Sequence, residues 1–254
     1  MEQKTEYVRG AHASLYYEVW ERGAGRDGRE ERIPLLMLHG NGEDHTYFKR
    51  QMEPFSQSYR VIAVDTRGHG LSPRGTAPFT LEQFAEDLKE FLDGLGVVRC
   101  HLLGFSDGGN IALLFALKYP RYVDRLVLNG ANLCPSGVKA STQLPIIAGW
   151  AVCRAFACFS QKARRNWELL NLMVTQPHIR PQELAGLAMP VLVAAGERDM
   201  IRESHTRAIA AAIPDSRLAI LPGDHFVARR NWKDFNPLVL AFLADGSVQD
   251  RQEG

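Results

Sequence analysis

Residues 102–114, LLGFSDGGNIALL, join two apolar runs of different period through a glycine-rich turn that contains one serine. The first run is typical of a buried strand, and the second is typical of a helix. Ser106 therefore lies where a strand turns sharply into a helix, which forces its backbone into a strained conformation. A side chain at position 104 or 108 would collide with a neighbouring strand or helix, so both positions require glycine. We predict that Ser106 is a nucleophile; the alternative is a serine that only caps the helix.

Similar strand and helix patterns alternate on both sides of this turn. An alternation of short apolar strands with helices predicts an α/β fold, with a mostly parallel central sheet and helices on both of its faces. The predicted strands cover 15–20, 33–40, 59–64, 100–105, 123–131, 189–196 and 216–221, and the predicted helices cover 80–96, 110–120, 203–213 and 232–243. A polar loop is expected over 21–32, and the tail at 245–254 is expected to fray.

One segment departs from the alternation. Residues 135–180 carry helical patterns and no convincing strand, so we interpret them as a small helical lid inserted between two strands of the sheet. The predicted organisation is a core of residues 1–134 and 181–254 with a lid of residues 135–180. The longest apolar stretch, 144–159, is shorter than the roughly 20 residues that a membrane span needs. Arg154 and Gly149 also interrupt it, which favours a lid helix over a span.

Composition excludes several classes of protein. The 254 residues include 30 Lys and Arg and 29 Asp and Glu, so the chain lacks the basic bias that a nucleic-acid partner usually requires. The N-terminal sequence has no signal-peptide pattern, and the four cysteines have no metal-binding spacing. We therefore expect a cytoplasmic protein with reduced thiols and no metal site.

A serine nucleophile needs a base, and the base needs an acid that orients it. His225 follows the last predicted strand and is the predicted base. Asp199 follows the strand before it and is the predicted acid. Glu197 is its nearest competitor, while Asp215 precedes a strand and so lies at the wrong edge. Two further positions are less suitable, because Asp224 is too close to His225 in sequence and because Asn129 and Asn132 carry no charge.

An oxyanion hole requires two hydrogen-bond donors. The N–H of Asp107, the residue after the nucleophile, is one predicted donor. The other is expected in the loop that follows the strand predicted over 33–40, and we assign it to the N–H of Asn41 in the sequence HGNG. The turn at 65–70, DTRGHG, is interpreted as structural, and His69 is not expected to be catalytic.

Taken together, these motifs resemble the α/β-hydrolase superfamily. HGNG, DTRGHG, GFSDGG, GERD and GDHF occur in the order that the family has, and they span nearly the whole chain. The Ser-Asp-Gly-Gly turn and the compact lid are similar to those of valacyclovir-hydrolase-like and biphenyl-hydrolase-like proteins. This resemblance implies an α/β-hydrolase fold, a carboxylesterase-like enzyme and no cofactor.

Two features give conflicting indications about the charge of the substrate. The Asp107 carboxylate either complements the dipole of its helix or faces the substrate pocket and selects a cationic group, as the narrower resemblance implies. The lid is basic, which either attracts anions or forms a solvated surface; its charged residues are Lys139, Arg154, Lys162, Arg164, Arg165 and Arg180 against Glu168. Trp150, Phe156, Phe159 and Trp167 are expected to pack the lid or to line an apolar acyl pocket.

The sequence thus predicts a serine hydrolase that cleaves a small carboxylic ester or activated amide through an acyl-enzyme. Hydrolysis of a carbon–carbon bond, or a lyase reaction, with the same triad is an alternative within the fold. A non-catalytic receptor or interaction protein on the same scaffold is an alternative of another class. The expected partner is a small-molecule ester, with no nucleic acid and no membrane span, and the protein is expected to be a monomer or homodimer.

Overall fold

The computed structural model describes residues 2–10, 13–21 and 33–245. The predicted loop, from residue 22 onward, and the predicted tail, from residue 246 onward, lie outside the described residues. Within them the chain forms a central sheet with helices on both faces, so the predicted fold class is confirmed.

The sheet has eight strands in the order β1-β2-β4-β3-β5-β6-β7-β8. β1 pairs antiparallel with β2, β2 pairs antiparallel with β4, and the remaining neighbours are parallel. The strands are β1 Glu2–Arg9, β2 Ser14–Glu21, β3 Leu35–Leu38, β4 Val61–Val64, β5 Cys100–Phe105, β6 Val123–Asn129, β7 Val191–Arg198 and β8 Ser216–Asp224. All seven predicted strands are present, and β1 is an additional strand that the sequence analysis did not predict.

Eight α-helices accompany the sheet in the described part of the chain. They are α1 Lys49–Ser56, α2 Leu81–Gly94, α3 Asp107–Lys118, α4 Ala140–Phe156, α5 Gln161–Thr175, α6 Glu203–Ala212, α7 Val227–Arg230 and α8 Trp232–Ala244. Thr80 caps α2, since its hydroxyl accepts a hydrogen bond from the N–H of Gln83 at 3.1 Å. None of the helices in the described ranges is both long and apolar enough to cross a membrane.

Each face of the sheet buries its own apolar core. Alternate residues of a strand point to opposite faces, so Leu36 and Leu38 of β3 join one core while Leu35 and Met37 join the other. The first core is covered by α2, α3 and α6, and the second by α1, α7 and α8. Strands buried on both faces hold the backbone firmly, which fixes the positions where each strand ends.

The segment between β6 and β7 contains α4 and α5, which pack against each other. Two strands that are neighbours in the sheet, β6 and β7, are therefore separated in the chain by this helical insertion. The insertion begins after the carboxyl end of β6. It thus lies on the edge of the sheet at which the predicted site residues also follow their strands.

Candidate active site

The predicted site residues follow the carboxyl ends of four parallel strands. Asn41 comes after β3, Ser106 after β5, Asp199 after β7 and His225 after β8. The carboxyl ends of parallel strands lie at one edge of a sheet, where ligands bind in open α/β folds. The topology therefore gathers residues that are up to 184 positions apart (225 − 41) at one edge.

The turn at Ser106 has the strained backbone that the sequence predicts. Ser106 is the one described residue other than glycine with a positive φ, at φ 54° and ψ −121°. A Cβ on Gly104 would lie 2.3 Å from the carbonyl oxygen of Gly108, and a Cβ on Gly108 would lie 2.2 Å from that of Leu38. Both obstacles are backbone atoms, so neither position has room for a side chain.

Hydrogen bonds connect Ser106, His225 and Asp199 in a chain. The Ser106 hydroxyl oxygen lies 3.0 Å from His225 Nε2, and His225 Nδ1 lies 2.7 Å from Asp199 Oδ1. His225 and Asp199 are both buried, whereas Ser106 is half-buried. A hydroxyl, an imidazole and a carboxylate in this order are suited to transfer of a proton from the hydroxyl to the ring.

The carboxylate of Asp199 is fixed by the loop that carries it. The N–H of Ile201 donates to Oδ1 at 2.9 Å, and the N–H of Gly196 donates to Oδ2 at 3.4 Å. Lys139, which follows the turn after β6, donates from its ammonium group to the Asp199 carbonyl at 2.5 Å. These contacts hold Asp199 against the imidazole edge of His225 and favour the tautomer with the proton on Nδ1.

The competing acids have other surroundings. The Asp224 carboxylate pairs with Arg230 and accepts the N–H of Phe226. Glu197 is exposed, and Asp215 precedes β8 at the opposite edge of the sheet. Among the described residues, Asp199 alone has a carboxylate within hydrogen-bond distance of the His225 ring.

The loop after β3 approaches the serine closely. A Cβ on Gly40 would lie 3.2 Å from the Cβ of Ser106 and 2.9 Å from the Phe105 ring, so only glycine allows this approach. The next residue in the loop is Asn41, one predicted oxyanion donor. Asp107, the other predicted donor, is the first residue of α3, where a helix N–H has no acceptor within the helix.

The side chains of these two residues bond to each other. Asn41 Nδ2 donates to Asp107 Oδ2 at 2.9 Å and to the carbonyl of Leu169 in α5 at 2.8 Å. Asn110 Nδ2 donates to the other carboxylate oxygen of Asp107 at 3.2 Å. In the described part of the chain, no lysine or arginine pairs with the buried Asp107. Burial raises the pKa of Asp107, and the amides of Asn41 and Asn110 lower it to a lesser extent.

The turn at 65–70 connects neighbouring loops, in keeping with its predicted structural role. Asp65 accepts hydrogen bonds from the N–H groups of His45 and Leu71, at 2.7 and 2.8 Å. Arg67 forms a buried bidentate pair with Asp87 of α2, at 2.7 and 2.5 Å. His69 is buried, and its Nδ1 contacts the Thr66 hydroxyl and the Arg67 carbonyl.

The aromatic residues that were expected to line an acyl pocket differ in how deeply they are buried. Trp150 and Trp167 are half-buried, and the guanidinium of Arg154 lies over both rings at 5.6 and 5.8 Å. Phe156 and Phe159 expose 58% and 87% of their surfaces, and none of the ring contacts in the described chain joins either of them to His225. The structure thus brings the triad residues and Asn41 together and leaves Phe156 on the outer surface of α4.

The one acidic residue of the segment 135–180 pairs with Arg74, outside the segment, rather than with a basic residue within it. Glu168 of α5 accepts two hydrogen bonds from Arg74, at 2.9 and 3.1 Å. Arg74 lies in the loop after β4. With the contact from Asn41 to Leu169, this pair connects α5 to two loops at the edge of the sheet.

Three residues beside the triad were not found from the sequence. A Cβ on Gly130, after β6, would lie 2.8 Å from the His225 ring, so the ring packs directly on this backbone. Tyr47 stacks on Phe105 at 4.1 Å, and Phe105 contacts His225. Glu43 lies in the loop after β3, and burial raises its pKa to about 7 against the opposing charge of Arg229, 3.8 Å away. The one sequence signal for any of them is the glycine in LNGAN.

Comparisons with known proteins agree on the family of this chain. The sequence model of a family described as alpha/beta hydrolase fold matches residues 33–178. The chain is 28% identical to the putative carbamate hydrolase RutD of Caulobacter sp. (strain K31), over 92% of this chain and 97% of that protein. It is also 28% identical to the serine hydrolase BPHL of Mus musculus, over 93% of this chain and 84% of that protein. A solved structure of a hydrolase from Pseudomonas aeruginosa PA01 is 26% identical, with a TM-score of 0.74 over 95% of this chain and 98% of that chain.

Proposed function

The chain belongs to the alpha/beta hydrolase fold family and is a hydrolase, and from this premise we propose that it cleaves small carboxylic esters or activated amides through an acyl-enzyme on Ser106. The observation that carries the proposal is the hydrogen-bond chain from Ser106 through His225 to Asp199, at 3.0 and 2.7 Å. One relative, BPHL of Mus musculus, is a serine hydrolase, and this similarity supports the same chemistry.

In the first half of the proposed reaction, the Ser106 oxygen attacks the substrate carbonyl while His225 Nε2 takes the hydroxyl proton. Asp199 holds the ring in the tautomer that leaves Nε2 free to accept, and it stabilises the imidazolium that forms. The tetrahedral intermediate then collapses. The bond to the leaving group breaks, and His225 returns the proton to the departing alcohol or amine.

Charge on the carbonyl oxygen develops during this attack and needs donors that are already oriented. The N–H groups of Asn41 and Asp107 are the proposed donors. Two observations support them: the close approach of Gly40 to Ser106 and the position of Asp107 at the start of α3. The Asn41 side chain donates to the Asp107 carboxylate and to the Leu169 carbonyl, and these hydrogen bonds fix the loop that presents the Asn41 N–H.

In the second half, water replaces the leaving group. His225 takes a proton from the water, the hydroxide attacks the acyl carbonyl, and the Ser106 oxygen leaves with the proton that His225 returns. The products are a carboxylic acid and the free enzyme.

We propose that residues 135–180 form a lid over this site, in which Trp150, Arg154 and Trp167 pack together where α4 meets α5. The contacts of α5 with Asn41 and Arg74 support this position. The Asp107 carboxylate is proposed first as a group that orients Asn41. If it also selects a cation, Asp107→Ala will reduce turnover of an aminoacyl ester far more than turnover of the matching ester that lacks the amine.

Turnover of p-nitrophenyl butyrate by the Ser106→Ala variant tests the proposal. Loss of the nucleophile should lower kcat by about 10⁴-fold or more. Ser204→Ala, at an exposed serine of α6, is the matched control and should retain full activity. Equal activity in the two variants would refute the assignment of Ser106.

A substrate panel defines the bond that is cleaved. It should contain p-nitrophenyl esters, an N-alkyl carbamate, because one relative is named a putative carbamate hydrolase, and a vinylogous diketone. Turnover of the diketone alone would identify the carbon–carbon hydrolase alternative. Folded protein that turns over no member of the panel and takes up no fluorophosphonate probe would favour the non-catalytic alternative.

A further inference from the structure

The outer face of α4 is apolar, although it is exposed to solvent. Nine large hydrophobic side chains are exposed in the described part of the chain, and five of them lie within residues 144–159. The most exposed of these five are Leu144, Val152, Phe156 and Phe159, which expose 64%, 59%, 58% and 87% of their surfaces. Scattered exposed apolar residues are ordinary on a protein surface, but a concentration on one element indicates an interaction site.

These residues form one continuous stripe. Ile147 and the exposed alanines 148, 151 and 155 fill the positions between them, so exposed apolar residues recur at the three- and four-residue spacing of a helix face. The opposite face of α4 is also largely apolar and packs on α5, where Gly149 contacts Leu170. Because the packing on α5 uses only one face, the stripe is left without a partner in the described chain.

Exposed basic residues lie close to the stripe in the chain. Arg154 lies on α4, and Lys162 and Arg164 lie in the first turn of α5, directly after Phe159. All three are exposed, and within the described ranges no acid pairs with them. The lid's acid, Glu168, is already occupied by Arg74. The lid therefore combines an apolar stripe with unneutralised positive charge.

From this combination we propose that the outer face of α4 docks on an anionic phospholipid surface. Phe156 and Phe159 enter the boundary between headgroups and acyl chains, and Arg154, Lys162 and Arg164 contact the anionic headgroups. At 17 residues with an internal arginine, α4 lies in the interface rather than across it. Since the lid follows the carboxyl end of β6, docking brings the edge of the sheet that carries Ser106 to the lipid surface.

A second copy of the chain is a poorer occupant of this face. A two-fold contact through α4 would place the same surface on both sides of the interface. Arg154, Lys162 and Arg164 of each copy would then face a lid that offers no free carboxylate in its described residues, so the charges would repel. An anionic bilayer supplies the opposite charge and also accepts the convex apolar stripe without needing a complementary groove.

Co-sedimentation of the full chain with lipid vesicles tests the proposal. The chain should sediment with vesicles of equimolar phosphatidylglycerol and phosphatidylcholine at low ionic strength. The bound fraction should fall in high salt and with pure phosphatidylcholine, because both conditions remove the attraction between the basic residues and the headgroups. The Ser106→Ala variant should bind vesicles as the wild type does, so this result is independent of the proposed reaction.

The variants localise the contact. A Val152→Ser/Phe159→Ser double variant should lower the partition coefficient by about tenfold or more, because it removes two apolar side chains from the interface. Val98→Ser is the matched control, since Val98 is 81% exposed near the amino end of β5 and should not affect binding. Turnover of p-nitrophenyl butyrate and the circular dichroism spectrum should be unchanged in both, which shows that each variant is folded.

Three results would overturn the proposal. One is the absence of co-sedimentation with the anionic vesicles, and another is equal binding by the double variant and the wild type. The third is a wild-type dimer, measured by light scattering, that the double variant converts to a monomer, since this would assign the face to a second copy.

Discussion

The sheet edge that carries Ser106 and the helical segment at 135–180 hold their side chains in different ways. At the edge, β3, β4 and β5 are wholly buried, and backbone contacts fix the turns that follow them. In the segment, α4 and α5 each contain a single buried residue, Gln143 and Leu172. Polar contacts and one ion pair connect the segment to the edge.

This difference separates the roles that we propose for the two regions. A position that is fixed by buried backbone can hold reacting atoms to within a fraction of an ångström, as acyl transfer requires. A region held by a few exposed contacts tolerates substitution and presents its surface to other molecules. Substitutions at the edge should therefore have large effects, and matched substitutions in the exposed regions should have small ones.

Asp199→Asn should have the largest effect. The amide favours the wrong tautomer of His225, so kcat should fall on the order of 10⁴-fold while the fold is retained. Asp224→Asn is the matched control, because its carboxylate faces Arg230 and not the imidazole. Kinetics with p-nitrophenyl butyrate measure both variants, and equal losses in the two would remove the assignment of Asp199 as the orienting acid.

Breaking two bidentate ion pairs compares how firmly the edge and the segment at 135–180 are held, because each loss is measured as a change in the free energy of unfolding. Asp87→Ala leaves the Arg67 guanidinium buried without its carboxylate, and it should lower the free energy of unfolding by about 3–5 kcal/mol. Glu168→Ala breaks the half-exposed pair with Arg74 and should cost about 1 kcal/mol or less. Urea unfolding measures both. Similar losses would show that the two regions are held equally firmly.

A pair of glycines tests the packing of the turn. Gly108→Ala places a methyl group 2.2 Å from the Leu38 carbonyl oxygen and should destabilise the protein by about 3 kcal/mol. Gly186→Ala meets no atom within 4 Å and should change the stability by about 0.5 kcal/mol or less. Thermal unfolding of the two variants separates these outcomes, and a stable, fully active Gly108→Ala variant would contradict the account of the turn.

The half-buried Glu43 should give a smaller effect, which depends on pH. Its pKa is raised by burial from an ordinary 4.5 to about 7, so the folded state retains a proton that the unfolded state loses. The stability of the wild type should therefore fall as the pH rises from 4.5 to 7 and then level off. The stability of the Glu43→Gln variant does not fall in this way. The difference in free energy of unfolding between this variant and the wild type should therefore grow to about 2 kcal/mol in favour of the variant at pH 8.

Urea unfolding at several pH values between 5 and 8 measures this difference. Glu53→Gln, at an exposed glutamate of α1, serves as the control and should follow the wild type at every pH. If the difference in unfolding free energy between Glu43→Gln and the wild type stays constant across this range, the Glu43 carboxyl does not change its protonation there.

Sequence patterns predicted the strands and the residues that follow them, because apolar period and glycine position are local properties. β1 was missed because its sequence, EQKTEYVR, is largely polar and forms an edge strand in which residues 4–7 and 9 are exposed. The positions of Ser106, Asp199 and His225 followed from the strand order, since parallel strands end at one edge.

Contacts between residues that are distant in the chain could not be predicted from local sequence patterns. The packing of Gly130 under His225 and the bonds of Asn41 to Asp107 and Leu169 depend on three-dimensional neighbours. The exposure of Phe156 could not be predicted either. Both faces of α4 are apolar, so the spacing of apolar residues does not show which face packs on α5. For the same reason the exposed stripe was found only from the structure.

Labelling with a fluorophosphonate probe, mapped by peptide mass spectrometry, tests the central claim most directly, because the probe reacts only with an activated serine. The account predicts one adduct, on the peptide that contains Ser106, and labelling that is abolished in His225→Ala. An adduct on any other serine would contradict it, as would undiminished labelling of Ser106 in the His225→Ala variant.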